Sequence, residues 1–392
     1  MKILYLCYWG INDSLSQSTV YPNLIRLAQL ESTKRIIVVS IERGRIPRQI
    51  LSPQHEKLDY TSLVTGLGFC DKLNDFTVFP YKLSQLCKKH KIDIMLGRGA
   101  LAGSLLYLTW RKNKISFYVE SFEPHSQYMA DSGVWMRKGL KYRIQKFLER
   151  RQMENAAGLM PVSIAYLEKL RVMGVSKERI QMVPCTVEIE RFKFSQRDRI
   201  VGREQLGFLP ADIVGIYVGK FGDIYHSIGE AFAFFKQAFD FYGVNFKLIL
   251  LSQVKDSDLE LWCENYNIPK ERIHLYFVNH DQVGAFLSIS DFAYALIKPG
   301  PSKKYCSAIK IGEYWANGLP ILIPEDIGDD SEIICKEQVG CILKDHLDYF
   351  EQLNEVIADP THRARIAKLA EKYRSTSLVN QAYYYFFSRS DT

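Results

Sequence analysis

Three residues in the last quarter of the chain are spaced for ligand chemistry. In KYCSAIKIGEYWANGLPILIP, residues 304–324, Lys310 and Glu313 stand three apart, so on a helix they share one face. Ser307, just before them, is a candidate N-cap that would leave the following amides pointing outward as an anion site. A lysine beside such amides neutralises phosphate, and a carboxylate one turn on accepts from two hydroxyls. That combination suits the diphosphate and ribose of a nucleotide; the plainer reading is an i,i+3 ion pair on a surface helix.

Three further segments carry candidates. IYVGKFGDIYHS runs from an apolar strand into a turn where Gly219 lets the backbone approach a ligand and Lys220 suits phosphate. VESFEPHSQYM sets Glu120, Glu123 and His125 just past a strand; His125 there is either structural or placed to hydrogen-bond a hydroxyl or developing charge. GRGALAG, Gly97 to Gly103, approximates a dinucleotide-binding turn with Arg98 in it. Its G-x-G-x-x-x-G spacing is one residue too long, however, and it does not follow the first strand.

Positioning these residues requires alternating strands and helices. Apolar runs at KILYLCY, RIIVVSI, IDIML, ISFYV and AAGLMPVS read as strands, with helical patterns near 18–30, 80–90, 100–112 and 135–155. After the charged stretch at 191–209 a second series begins: IVGIYVG, FKLILL, RIHLYFV, FAYALI and PILIP, with helices at 228–241 and 256–266. Buried runs between amphipathic helices imply parallel sheets covered on both faces. The expected organisation is two Rossmann-like α/β domains, 1–200 and 201–375. The aromatic tail, 376–392, is expected to dock as a helix on the first domain, because five consecutive rings at 383–387 need apolar surface to cover. Open sheets of this kind bind ligands at the carboxyl ends of their strands, so a cleft between the domains is the expected site.

The totals agree with that plan. A chain of 392 residues suffices for two cores, and no apolar run approaches the roughly 18–20 residues of a membrane span. The N-terminal MKILYLCYWG is too short in its apolar part for a secretory signal and reads as a first strand. Eight cysteines lie scattered without a C-x-x-C pair or histidines at zinc spacing, as reduced thiols would, which points to the cytoplasm. The net charge of +7 is partly local: Arg137 to Arg151 holds seven Lys or Arg against the single Glu149. Leu140, Ile144, Phe147 and Leu148 recur there at helical spacing, predicting a helix packed by its apolar side, with a basic face that is either solvated or set against anionic membrane. No nucleic-acid motif accompanies the charge.

Several segments together resemble a known family. EYWANGLPILIP resembles the E-A-M-A-x-G-x-P-V motif of GT-B fold glycosyltransferases, particularly retaining family 4 (glycosyl transferases group 1). YVGKFG looks like the V-G-R loop that opens that family's nucleotide domain, and MVPCTVEIERF resembles its interdomain V-P-N-G-V-D-x-x-x-F. PVSIAYLEKLRVMGVSKERI and EIICKEQVGCIL are similar to the segments before and after, so the ordered set spans most of 155–345.

The resemblance implies a hexosyltransferase-type enzyme that moves a sugar, with retention, from a UDP- or GDP-sugar to a hydroxyl of a glycan or lipid-linked acceptor, in polysaccharide or glycolipid synthesis. It implies that Glu313 binds the ribose and that Lys220 contacts the diphosphate. It also sets His125 near the transferred sugar, and turns the loop from Gly10 to Ser18 toward donor phosphate and acceptor. No cofactor and no metal are expected, Lys220, Lys310 and the amides near Ser307 supplying the positive charge. Two departures stand out: Tyr305 replaces the family's second acid, and Tyr225 its second basic residue, with Lys310 a candidate to restore that charge. A nucleotide-sugar epimerase on the same fold, a non-catalytic scaffold subunit and a dinucleotide oxidoreductase are the alternatives.

Overall fold

A computed structural model describes residues 1–13, 16–44, 54–66, 68–222, 225–344 and 347–388, without the side chains of 69–74. The side chain of Cys70, residues 14–15 of the Gly10–Ser18 loop, residues 223–224 of the Lys220 turn and the last four residues therefore lie outside the description. The chain forms two compact units. One comprises Met1–Cys185 with Ser377–Thr392, the other Thr186–Thr376. The first crossing thus falls ahead of the charged stretch at 191–209, which belongs to the second unit.

The first unit holds a sheet of six parallel strands: β1 Lys2–Cys7, β2 Arg35–Arg43, β3 Leu58–Thr65, β4 Ile94–Arg98, β5 Phe117–Phe122 and β6 Gly158–Pro161. Their spatial order is β3-β2-β1-β4-β5-β6. The second unit repeats the plan with β7 Ile213–Val218, β8 Phe246–Leu251, β9 Ile273–Tyr276, β10 Phe292–Tyr294, β11 Ile321–Ile323 and β12 Gly340–Ile342. Its order, β12-β11-β10-β7-β8-β9, is the same doubly wound arrangement. Central strands such as β1 and β8 are buried almost throughout, which is why they read as unbroken apolar runs. In each sheet the strand order reverses beside the first strand, β1 or β7, and the loops leaving those strands are Gly10–Ser18 and Gly219–Tyr225.

The C-terminal helix Ser377–Phe387 completes the first unit. Val379, Ala382, Tyr383 and Phe387 join a core that includes Ile3, Tyr5, Leu24 and Met160. Val379 and Phe387 alone contribute about 1.5–3 kcal/mol each when fully buried, enough to order a short helix. Beneath it lies a polar knot: the hydroxyls of Tyr5 and Tyr383 both donate to Glu120, and Arg98 Nη1 donates to the same carboxylate at 3.0 Å.

That knot removes the dinucleotide reading of Gly97–Gly103. Glu120, the acid such a site would turn toward ribose, is buried and already held by three donors. Gly103 serves close packing instead, since a Cβ there would lie 2.1 Å from Oε1 of Gln152.

Candidate functional site

In the second unit the chain leaves β7 at Val218 and turns through Gly219, whose φ of +138° disfavours any residue with a side chain. The helix Ile309–Asn317, which precedes β11, brings Lys310 to this turn. Lys310 Nζ donates to the Val218 carbonyl at 2.7 Å, and a Cβ on Gly219 would stand 2.5 Å from that nitrogen. The ring centroids of Tyr217 and Tyr225 lie 5.0 and 4.6 Å from the ammonium. Lys310 thus brings a cation to the loop that carries Tyr225. Burial lowers the lysine's pKa to about 8, with Glu313 acting in the opposite direction, so the ammonium persists at neutral pH. Lys220 is exposed, and its carbonyl accepts from the Tyr217 hydroxyl at 2.5 Å.

Glu313 sits one turn further along the helix and is buried. It does not pair with Lys310, as a surface i,i+3 bridge would; its Oε1 lies 2.7 Å from Nε2 of His280, in the loop after β9. His280 was not marked out by its sequence, because only the return of the chain across the sheet brings it to a residue 33 positions away.

The N-cap expected of Ser307 is corrected. The cap position belongs to Ala308, which makes no side-chain cap bond, and Ser307 instead accepts from the Arg374 guanidinium. Arg374 also pairs with buried Asp330, whose pKa burial raises.

In the first unit β5 shifts register between Val119 and Phe122, where Ser121 takes a φ of +50°. His125 then opens the short helix His125–Asp131, with its ring edge-on to Trp135 at 5.4 Å. Burial lowers its pKa to about 4, so the imidazole is neutral at physiological pH and acts only through hydrogen bonds. The next residue, Ser126, donates both its N–H (2.8 Å) and its hydroxyl (2.7 Å) to Glu149, whose pKa burial pushes up to about 7.

Gly10 and Ser18 lie on the loop after β1, Ser18 within the π-helical turn Ser16–Val20. A Cβ on Gly10 would stand 2.8 Å from Oε2 of Glu42, whose Oε1 accepts the Ile11 N–H at 2.8 Å. A phosphate at Gly10 would therefore share this turn with a carboxylate.

The basic helix, Leu140–Asn155, is turned opposite to the sequence expectation. Leu140, Ile144 and Phe147 are exposed (62, 40 and 51%), and of the four predicted packing residues only Leu148 is buried. The inner face is instead Gln145, Leu148, Glu149 and Gln152. Gln145 donates to Glu149 at 3.1 Å, and Gln152 donates to the Ala100 carbonyl and to Ser104 at 3.0 and 2.9 Å. Because the amide nitrogens find partners, the polar side tolerates burial and the apolar residues are left outside.

No protein-family model and no curated protein matches the chain. Solved structures do. Sucrose-phosphate synthase from Thermosynechococcus elongatus matches with a TM-score of 0.76 at 14% identity, covering 100% of both chains. HepE from Anabaena, in complex with UDP, matches at 0.70 and 15% identity, again over 100% of both. WaaG, a glycosyltransferase involved in lipopolysaccharide biosynthesis, matches at 0.67 and 16%, over 99% of this chain and 100% of that one. The chain has the GT-B fold of these proteins: two six-stranded parallel α/β units with a C-terminal helix returning to the first.

Proposed function

We propose that this chain is a glycosyltransferase that moves a sugar from a UDP- or GDP-sugar to a hydroxyl acceptor with retention of the anomeric configuration. One observation carries the reading: Lys310 and Glu313, one helical turn apart, stand at the carboxyl end of the sheet beside its switch point, with Lys310 on the Gly219 turn. Ligands of open α/β sheets bind at such points. HepE was solved with UDP and, in a separate structure, with UDP-glucose, which supports a nucleotide-sugar donor for the same fold here.

In this reading Glu313 accepts from the ribose hydroxyls while Lys310 and exposed Lys220 face the diphosphate. As the bond between the anomeric carbon and the phosphate oxygen breaks, negative charge collects on the leaving diphosphate. The held ammonium of Lys310, with that of exposed Lys220, stabilises it there, an effect worth several kcal/mol in a dry site. The acceptor oxygen forms the new bond on the same face and its proton passes to the released phosphate oxygen. His125, neutral, suits a hydrogen bond to a hydroxyl of the transferred sugar. No metal takes part in this scheme, because lysines supply the charge. Gly10 and Ser18 stay within the proposal as backbone facing donor and acceptor.

The exposed Leu140, Ile144 and Phe147 are flanked by seven cations, of which Arg137 pairs with Asp131 and Arg150 and Arg151 with Glu154; this face suits peripheral contact with anionic lipid and hence a lipid-linked or cell-surface glycan acceptor. Among the described residues no helix is long and apolar enough to cross a membrane.

Titration with UDP and GDP tests the donor site. Glu313→Ala is expected to weaken the preferred nucleotide by at least tenfold, with sugar transfer by the unaltered chain persisting in EDTA. Unchanged affinity for both nucleotides would remove Glu313 from the site.

A further inference from the structure

His280, the hydrogen-bond partner of Glu313, has no role in that scheme. Its ring is 40% exposed while the Glu313 side chain is 6% exposed, so the imidazole forms the wet side of the contact. An ionised carboxylate only accepts, so Nε2 of His280 must carry the proton and donate to Oε1 across 2.7 Å. Among the described residues nothing donates to Oε2. The loop that carries His280 is itself held in shape. Asn279 N–H donates to Oε1 of Gln282 at 3.1 Å, and Gln282 N–H returns to the Asn279 carbonyl at 3.0 Å. The imidazole packs on Phe192 with ring centroids 5.3 Å apart.

We infer that His280 is a positioning residue for the Glu313 carboxylate. It fixes Oε1 so that Oε2 and the remaining lone pairs meet the vicinal 2′- and 3′-hydroxyls of a ribose. This rests on Glu313 being the ribose-binding acid. A buried carboxylate without any donor is costly and turns its oxygens toward whatever water it can reach. With one oxygen held, the diol meets an acceptor already in place, and less ordering is left for the binding step. His280 would therefore govern how sharply the protein distinguishes a ribonucleotide from its 2′-deoxy counterpart, beyond adding affinity.

Calorimetric titration of the full chain with UDP, 2′-deoxy-UDP and the corresponding guanosine pair tests this. The unaltered protein is expected to prefer the ribonucleotide by about tenfold, the value of one hydrogen bond to a charged acceptor. His280→Ala should weaken ribonucleotide binding by about tenfold and bring that preference close to unity. His280→Gln, whose amide nitrogen reaches the place of Nε2, should recover most of it, and the shorter His280→Asn should not. In turnover the Ala variant should raise the donor KM with kcat nearly unchanged. An Ala variant that keeps the full ribose preference overturns the assignment, as does a Gln variant no better than Asn. Should the Ala variant fail to fold, the Gln-against-Asn comparison decides alone. Failure of the unaltered chain to bind either nucleotide would overturn the donor reading itself. Loss of binding in Glu313→Ala with none of the expected change in His280→Ala would overturn only the role of His280.

Discussion

At the scale of single residues, the site depends on a cation kept under two aromatic rings. With its pKa near 8, Lys310 is charged below that value and neutral above it, whereas a free diphosphate gains no further charge there. The expected outcome is a kcat/KM for donor that falls as pH rises through about 8, since this ratio follows the free enzyme. Lys310→Met should abolish that limb and lower kcat by roughly a hundredfold, the usual cost of removing one charge-stabilising donor. A pH–rate profile of both proteins checks this. Lys310 and Glu313 were legible in sequence because helical spacing places them on one face without outside help. Ser307 was misread and His280 missed for a common reason: what each does depends on partners far along the chain. Arg374 lies 67 residues from Ser307, and Glu313 lies 33 from His280.

Among the elements, the Leu140–Asn155 helix shows where periodicity misleads. Apolar spacing identified the helix but not which side faces inward, because an inner face of paired amides and a carboxylate has no apolar signature. Its buried Glu149 makes a stability prediction. Burial raises the folded-state pKa to about 7 from an ordinary value of 4.5, so this contribution is complete below 4.5 and is lost as pH rises through 7. The loss amounts to about 3 kcal/mol, at 1.36 kcal/mol per unit of pKa shift. Melting curves from pH 5 to 8 should show a decline in the unaltered protein that Glu149→Gln largely removes. On the outer face, sedimentation with anionic vesicles at low salt should retain the protein, and Phe147→Glu or added salt should release it by about tenfold. The interior strands were legible from their apolar runs. Of the four edge strands, β6 and β9 were read from AAGLMPVS and RIHLYFV, but the other two were not: β3 is mostly half-buried, and β12 has only three residues, too few to form a pattern.

For the molecule as a whole, two units share one strand order, and the second is an uninterrupted insertion between the body of the first and its last helix. The aromatic tail revealed that helix in the sequence, but not the carboxylate beneath it. Tyr383→Phe leaves buried Glu120 with one donor fewer and is expected to cost about 1.5–3 kcal/mol, read as a lowered melting temperature with nucleotide binding retained. The chain order also sets a schedule for biosynthesis. Ser377–Phe387 leaves the ribosome after all of Thr186–Thr376, so the N-terminal unit, although translated first, lacks its closing helix until the end. Until then Glu120 lacks the Tyr383 hydroxyl, and the apolar surface around Tyr5 and Tyr118 that the helix covers stays open. The unit made second is the first with all its parts, and the earlier half of the chain is the one that must wait with exposed surface during synthesis.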